Sequence, residues 1–182
     1  NVLNYDDVLN KQREIIYNQR SQVLDGEDLH DYILNMMHDL AVDSVNNYLV
    51  DDVEKENWNI IGLKDHFMGW VLNDEDLDYD ENQIDDVTKN SIVELLEDRM
   101  KTIYARKEEE FGGQLIRELE RVILLKVVDT KWMNHIDDMA ELKKGIGLRA
   151  FGQKNPVVEY RYEGFEMFDA MVESIREDTI RM

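Results

Sequence analysis

We predict an all-α fold on two observations from the sequence. In each long segment the apolar residues recur with the 3.6-residue period of a helix, and not with the two-residue period of a strand. The 182 residues also contain a single proline and only nine glycines, too few turn residues for a many-stranded fold. A hydrophobic content of 43% supplies enough apolar surface for a core.

Two helices are predicted before residue 50. The first ends near Asp25 and Gly26, where glycine can take a left-handed cap conformation, and the second runs from about residue 27 to 49. The first begins at Asn1 without a convincing cap, so we expect the chain to be part of something longer. Their apolar stripes are Tyr5, Val8, Leu9, Ile15, Ile16 and Val23, then Leu29, Ile33, Met36, Met37, Leu40, Ala41 and Tyr48.

The middle of the chain is strongly acidic. Residues 51–100 hold 16 acidic and 4 basic side chains, so this block carries −12 of the net charge of −20. Within it, the apolar island 58–72 predicts a short helix between two acidic loops. A third long helix is predicted from about residue 86 to 110, and Gly112 and Gly113 follow it.

The last third predicts an antiparallel helical hairpin. Its loop is expected between about Gly145 and Pro156, with the two glycines ending the first helix, Asn155 as an N-cap and Pro156 in the first turn of the second helix. Two apolar series with alternating steps of three and four form the expected seam. They are Leu125, Val128, Trp132, Ile136, Met139, Lys143 and Ile146, then Val158, Tyr162, Phe165, Phe168, Val172, Ile175 and Thr179.

Charge and composition exclude several classes of function. With 41 acidic against 21 basic residues, a nucleic-acid partner is not expected. No apolar run is long enough for a membrane span and no signal peptide is recognisable, so the sequence predicts a soluble fragment. The absence of cysteine excludes disulfides, Cys-ligated zinc and a thiol nucleophile.

Three local motifs are weak. Asp74, Asp76, Asp78 and Asp85 match a calcium-loop spacing, but Tyr79 stands where the hinge needs glycine. The glycine-rich pattern 145–150 follows a helix instead of a strand and lacks the context of a dinucleotide site. His135 and Asp138 are helix neighbours that we interpret as a surface or interface pair. The sequence therefore predicts no catalytic, cofactor-binding or metal site.

Four stretches carry a specific resemblance. They are YDDVLNKQREIIYNQR at 5–20, VDTKWMNHI at 128–136, LRAFGQKNP at 148–156 and EGFEMF at 163–168. In order and spacing they resemble SecA, the motor ATPase of bacterial preprotein export. The resemblance implies that residues 1–25 are the distal part of the long scaffold helix, 26–112 a small helical wing domain and 113–182 a two-helix finger.

The resemblance also implies a function and a contact site. In this family the fingertip meets the translocating preprotein at a SecYEG-type membrane channel, and the finger helps to regulate ATP turnover. The matching residues here are Phe151, Arg149, Gly152, Gln153 and Lys154. Phe151 stands where the family commonly has tyrosine, so a role for a tip hydroxyl does not carry over.

Cofactors and location follow from the same resemblance. ATP and Mg would bind in separate nucleotide-binding domains, which are further partners, and this chain holds no cofactor itself. The basic residues at the tip could also meet anionic lipid. The expected location is cytoplasmic and peripheral, at the inner face of the bacterial cell membrane.

Two other classes of protein remain as alternatives. The first is a free-standing acidic α-helical adaptor that docks a basic partner, and the second, more distant, is a calcium-binding module. A reading frame that continues upstream into a P-loop ATPase would favour the motor, and one that starts near Asn1 would favour the adaptor.

Overall fold

The computed structural model describes residues 2–25, 29–149 and 155–182, with side chains for 5–25, 29–148 and 155–182. Within these ranges the chain forms six α-helices and two short 3-10 helices, and no strand. The all-α prediction is therefore confirmed.

The helices follow the predicted order. They are α1 (Val2–Leu24), α2 (Leu29–Tyr48), α3 (Ile60–Phe67), α4 (Lys89–Phe111), α5 (Gly113–Arg149) and α6 (Pro156–Arg181), with 3-10 helices at Lys55–Asn57 and Ile84–Asp86. Of the helices in the described ranges, none has a stretch both long and apolar enough to cross a membrane.

The ends of α4 and α6 are fixed by local chemistry. Thr88 caps α4, since its Oγ1 accepts from the backbone N–H of Ser91 at 3.0 Å and its own N–H donates to Ser91 Oγ at 3.1 Å. Gly112 ends α4 at φ +80°, a left-handed conformation that favours glycine. Asn155 caps α6 as predicted, with Oδ1 accepting from the N–H of Val157 at 3.1 Å.

One predicted helix end is wrong. Gly145 and Gly147 do not terminate α5, which continues through both to Arg149. Each glycine costs a helix about 1 kcal/mol relative to alanine. Ile146, between them, is only 2% exposed, and burying its side chain contributes about 2 kcal/mol, which offsets the combined cost of the two glycines.

The chain divides into two compact units. Unit 1 comprises Asn1–Leu29, Glu118–Ile180 and Met182, and unit 2 comprises His30–Arg117 with Arg181.

In unit 1, α5 and α6 form an antiparallel hairpin that packs on α1. The direction of α1 follows from its contacts with α5: Lys143 lies over the ring of Tyr5, and Arg20 lies 2.9 Å from Asp129. Helices α1 and α5 therefore run in opposite directions. At the centre is an apolar cluster formed by Val8, Met139, Ile146 and Tyr160.

In unit 2, α2, α3 and α4 enclose an apolar core. The stripe predicted for α2 is confirmed, because all its residues are buried except the half-buried Tyr48. The short helix predicted in the acidic block is α3, whose Leu63 and Phe67 are fully buried. Loop residue Leu77 has a positive φ of 56° and is 6% exposed, so burial of its side chain accompanies a strained backbone.

Candidate functional site

The predicted fingertip lies between α5 and α6. Arg149 is the last residue of α5, and its side chain lies outside the described part of the chain. Phe151, Gly152, Gln153 and Lys154 also lie outside the described residues. The contact role of these five residues therefore stays a prediction.

The outer face of the hairpin differs from the predicted seam. Val158, Tyr162 and Phe165 were expected to be buried between the helices, but their exposed fractions are 38%, 72% and 65%. The prediction is wrong for this half of α6, although Phe168 and Ile175 are buried as expected. The buried positions toward the start of α6 are instead Val157, Tyr160 and Gly164.

Gly164 explains the altered seam. A Cβ built on it would lie 2.7 Å from Met139 Cε and 3.1 Å from Met139 Sδ, closer than real side chains approach. The missing side chain thus lets α6 come close to α5, and Met139, which is fully buried, fills the space. A search for bulky apolar residues passes over a glycine at such a position and selects Phe165 instead.

A buried polar node joins all three helices of unit 1. It consists of Gln12 on α1, His135 on α5 and the backbone carbonyl of Gly164 on α6, and we call it the Gln12 node. Gln12 Oε1 lies 2.6 Å from His135 Nε2, and Gln12 Nε2 donates to the Gly164 carbonyl at 3.2 Å. Gln12 is 7% and His135 3% exposed.

The node determines which nitrogen of His135 carries a proton. Because the Gly164 carbonyl can only accept, the amide nitrogen of Gln12 must face it and the amide oxygen must face His135. His135 Nε2 therefore donates, and the neutral ring is the Nε2–H tautomer.

The environment of His135 disfavours its charged form. Its ring lies against Trp132 and Phe168, with ring centroids 5.5 and 5.7 Å apart. Burial lowers the pKa of His135 below 6.5, and the charge of Asp138 partly opposes this. The predicted surface or interface pair of His135 with Asp138 is wrong as a surface pair, since His135 is buried and hydrogen-bonded to Gln12.

Contacts nearer the surface complete the attachment of the hairpin. Arg20 donates two hydrogen bonds to the carboxylate of Asp129, at 2.9 and 3.4 Å, joining α1 to α5. Lys131 lies 2.9 Å from Asp178, joining α5 to α6. Both pairs are partly exposed, and each contributes at most about 1 kcal/mol.

The acidic block of unit 2 uses its few basic residues internally. Arg99 binds both carboxylate oxygens of Asp76, at 2.9 and 2.8 Å, and this pairing lowers the pKa of Asp76. The other three basic residues of this block are lysines. Lys55 donates to the carbonyls of Asp85 and Val87, and Lys64 donates to the carbonyl of Asp74. The ammonium group of Lys89 lies 2.7 Å from the carboxylate of Asp51.

These pairings bear on the calcium-loop motif. Asp76 occupies the third position of the motif, but both its oxygens already bind Arg99. In the described ranges no three acidic or histidine side chains are arranged to hold a metal ion. The four aspartates instead belong to an acidic loop fastened to α4.

A second polar cluster of unit 2 was not predicted. Arg117 donates to Tyr104 Oη at 2.7 Å and to Glu108 Oε2 at 2.8 Å. His30 stacks on the ring of Tyr104 at 5.4 Å, and its Nδ1 lies 3.1 Å from Glu108 Oε1. The cluster joins the beginnings of α2 and α5 to the end of α4. Its residues lie on three helices, so the spacing along any one helix does not indicate the whole cluster.

Gln12 carried a signal that sequence reasoning missed. It lies four residues after Val8 and four before Ile16, at the centre of the apolar stripe of α1. A polar residue at such a position needs a buried partner.

Comparison with known proteins identifies the family. The family described as "SecA Wing and Scaffold domain" matches residues 1–182. The chain is 46% identical over 180 residues to protein translocase subunit SecA 1 of Alkaliphilus metalliredigens, covering 99% of this chain and 20% of that protein. It is 45% identical over 181 residues to protein translocase subunit SecA of Acetivibrio thermocellus, covering 100% and 20%.

A third relative gives the same result. Protein translocase subunit SecA of Clostridium botulinum strain Okra is 48% identical over 184 residues, covering 99% of this chain and 21% of that protein. The chain therefore spans about a fifth of the length of these relatives. With the family matched along its whole length, the chain belongs to the SecA wing and scaffold family.

Proposed function

We propose that this chain is the mechanical part of an ATP-driven preprotein translocation motor. Residues 1–25 would be the distal scaffold helix, 26–112 the wing domain and 113–182 the two-helix finger. The observation that carries the proposal is the hairpin of unit 1, which is fastened along α1 by a packed core and the Gln12 node. Helices packed along their length resist bending, so such a hairpin can transmit a displacement.

The tip of the finger would contact the cargo. Phe151 supplies an aromatic ring whose apolar contacts suit many polypeptide sequences, because such contacts are non-directional. Arg149 and Lys154 supply positive charge on a chain of net charge −20, suited to channel loops or anionic lipid. Gly152 and Gln153 complete the contact segment, which would meet the preprotein and a SecYEG-type channel.

The chemistry would take place outside this chain. ATP and Mg would bind in the nucleotide-binding domains of the longer protein, and the finger would help to regulate their ATP turnover. The protein would act in the cytoplasm and peripherally at the inner face of the bacterial cell membrane. The names of the relatives as translocase subunits support this assignment.

Substitution of Phe151 in the full-length motor tests the proposal. Phe151→Ala should strongly reduce preprotein transport while ATP turnover continues, because cargo contact is lost and the nucleotide sites are intact. Phe151→Tyr should be tolerated because the ring is retained. A photo-crosslinker at position 151 should capture preprotein or channel during transport.

Tyr162→Ala is the matched control. It also removes an aromatic ring, one that is 72% exposed, but from α6 and not from the tip. Its transport rate should stay near that of the parent protein. Normal transport by Phe151→Ala, or an equal loss in both variants, would contradict the assignment of the tip.

The acidic wing supports a second candidate function, an adaptor for a basic partner. The four basic residues of 51–100 have partners inside unit 2, and most acidic residues of this block are exposed. Titration with a lysine-rich peptide at physiological salt tests this function. Saturable binding that Phe151→Ala leaves unchanged would favour the adaptor.

A further inference from the structure

Gln12 occupies a core position without being apolar. In the α1 stripe it stands one turn from Val8 and one turn from Ile16, and all three side chains are buried. Both ends of its amide are used, the oxygen toward His135 on α5 and the nitrogen toward the Gly164 carbonyl on α6. One side chain thus contacts both helices of the hairpin with directional bonds.

The apolar contacts around the node specify axial position poorly. Apolar attraction is non-directional and roughly proportional to buried area. If α1 slid by one turn, about 5.4 Å, Val8 would leave Met139, with which it packs in the native register, and Val8 and Ile16 would meet other apolar residues of the α5 series such as Ile136 and Val128. The node would not survive the same shift. Gln12 and His135 would stay buried but lose each other, and an unpaired buried polar group is strongly unfavourable.

The ion pair between α1 and α5 is a weaker determinant of axial position. The side chains of Arg20 and Asp129 are 39% and 48% exposed, so water and salt screen the pair. The long Arg20 side chain can also follow a small shift of Asp129. The Gln12 node is buried, and its His135 contact of 2.6 Å leaves little freedom.

We propose that Gln12 is a positioning residue that selects the axial register of the α5–α6 hairpin on α1. It acts through His135 on one helix and the Gly164 carbonyl on the other, so that both helices are set by one side chain. The register would also determine how far the tip reaches for a given movement of the scaffold helix. This last step rests on the proposed function.

Cysteine crosslinking measures the register directly, because the chain has no cysteine of its own. Arg20→Cys is combined with Asp129→Cys to report the native register. The pairs Arg20→Cys with Leu125→Cys, and Arg20→Cys with Met133→Cys, report a slide of one turn in either direction. A short bis-maleimide joins each pair, and the ratio of native to shifted crosslinking is the readout.

Gln12→Met should lower this ratio by about tenfold, because the polar pairing that it removes disfavours the shifted registers by about the same factor. Methionine has nearly the same volume and helix propensity as glutamine, so packing and helix formation are retained. Two controls should keep the parent ratio. Ile16→Val trims the same buried stripe without a polar change, and Gln19→Met makes the same substitution at a half-buried position.

A double variant separates register from stability. Gln12→Met alone leaves His135 buried without its partner, whereas Gln12→Met with His135→Leu removes both polar groups and should restore the midpoint of urea unfolding. The crosslinking ratio should nevertheless stay low. A ratio that returns to the parent value in the double variant, or that is the same in Gln12→Met as in Ile16→Val, would overturn the proposal.

The full-length motor gives a separate readout. Gln12→Met should reduce preprotein transported per ATP hydrolysed, while Gln19→Met should not. A changed register with unchanged transport would leave Gln12 as the positioning residue and count against the mechanical function. An unchanged register would overturn the proposal whatever the transport result.

Discussion

At the scale of single residues, glycines of unit 1 differ in what their missing side chains permit. A Cβ on Gly164 would meet Met139 at 2.7 Å, whereas a Cβ on Gly145 has nothing within 4 Å. Both lie inside helices, so alanine improves the local helix propensity at both positions by about 1 kcal/mol. Only at Gly164 does the new methyl group displace a packed side chain.

We expect Gly164→Ala to change the free energy of unfolding less favourably than Gly145→Ala, because its Cβ would lie 2.7 Å from Met139 Cε and the fully buried Met139 side chain would have to shift. Gly145→Ala should raise the free energy of unfolding by about 0.5 to 1 kcal/mol. Urea unfolding followed by circular dichroism measures both. If Gly164→Ala is as stabilising as Gly145→Ala, α6 does not need the glycine for its approach to α5.

A second prediction concerns the titration of His135. Its pKa is lowered in the folded chain, mainly by burial, so near pH 6 the unfolded state binds more protons than the folded state. The free energy of unfolding therefore falls as the pH drops below about 6.5 and continues to fall until the folded-state pKa is reached. The stabilisation from keeping His135 neutral is complete only above that range.

His135→Gln isolates this contribution, because the glutamine amide can still donate to Gln12 but does not titrate. The difference in unfolding free energy between pH 7.5 and 5.5 should be smaller in this variant than in the parent chain. His38→Gln makes the same substitution at a mostly exposed histidine, whose Nδ1 lies 2.9 Å from Glu97, and serves as the comparison. An equal pH dependence in the parent chain and in His135→Gln would show that burial of His135 does not oppose its protonation.

At the scale of elements, the sequence supported the type and order of the helices better than their faces. The stripe of α2 and the Asn155 cap of α6 depend on nearby residues, and periodicity and cap chemistry indicate such features. The seam of α6 depends on what α5 presents to it. Gly164 could be recognised as a contact residue only with Met139 known to lie opposite.

The candidate site shows the same limit. Its tip was assigned through resemblance of residues 148–156, and nothing in the local pattern assigns a contact role to Phe151. The Gln12 node was not predicted, because it joins three helices that are distant in sequence. Spacing along one helix does not indicate a partner on another. A polar residue in an apolar stripe indicates that a partner exists but not which residue it is.

Helix α4 gives a prediction at this scale, because it contains one threonine at its cap and another in its interior. Thr88→Ala removes the side-chain oxygen that accepts from Ser91 N–H and should cost about 1 kcal/mol of unfolding free energy. Thr102 instead donates back to the Asp98 carbonyl within the helix at 2.9 Å. Thr102→Ala should therefore be neutral or slightly stabilising, since alanine is the better helix former.

Chemical denaturation of the two threonine variants checks this contrast. The difference between them matters more than either value, because both substitutions remove the same atoms from one helix. A loss at Thr102 as large as that at Thr88 would mean that the cap contributes nothing beyond ordinary side-chain contacts.

At the scale of the whole molecule, the dominant electrostatic feature is the net charge of −20. The block 51–100 contributes −12, and its four basic residues are engaged in internal contacts. Charges of one sign repel one another in the compact state more than in the unfolded chain. Exposed ion pairs oppose this only weakly, since each contributes about 1 kcal/mol or less.

Salt should therefore stabilise the chain. Raising NaCl from about 0.01 M to 0.15 M shortens the Debye length from about 30 to 8 Å, which screens repulsion across the acidic block. We expect the melting temperature to rise by about 2 to 4 °C, as for a gain of about 1 kcal/mol in a chain of this length. Differential scanning calorimetry in a buffer of constant pH measures the change.

Two triple variants locate the repulsion. Asp74→Asn, Glu75→Gln and Asp78→Asn neutralise exposed acidic residues of unit 2, and Asp6→Asn, Asp7→Asn and Glu14→Gln do the same on α1. The first should raise the low-salt melting temperature and reduce its salt dependence more than the second, because its residues lie within the densest negative charge. A melting temperature that falls with added NaCl, or triple variants with equal effects, would mean that the ion pairs and not the net charge control the electrostatic stability of the chain.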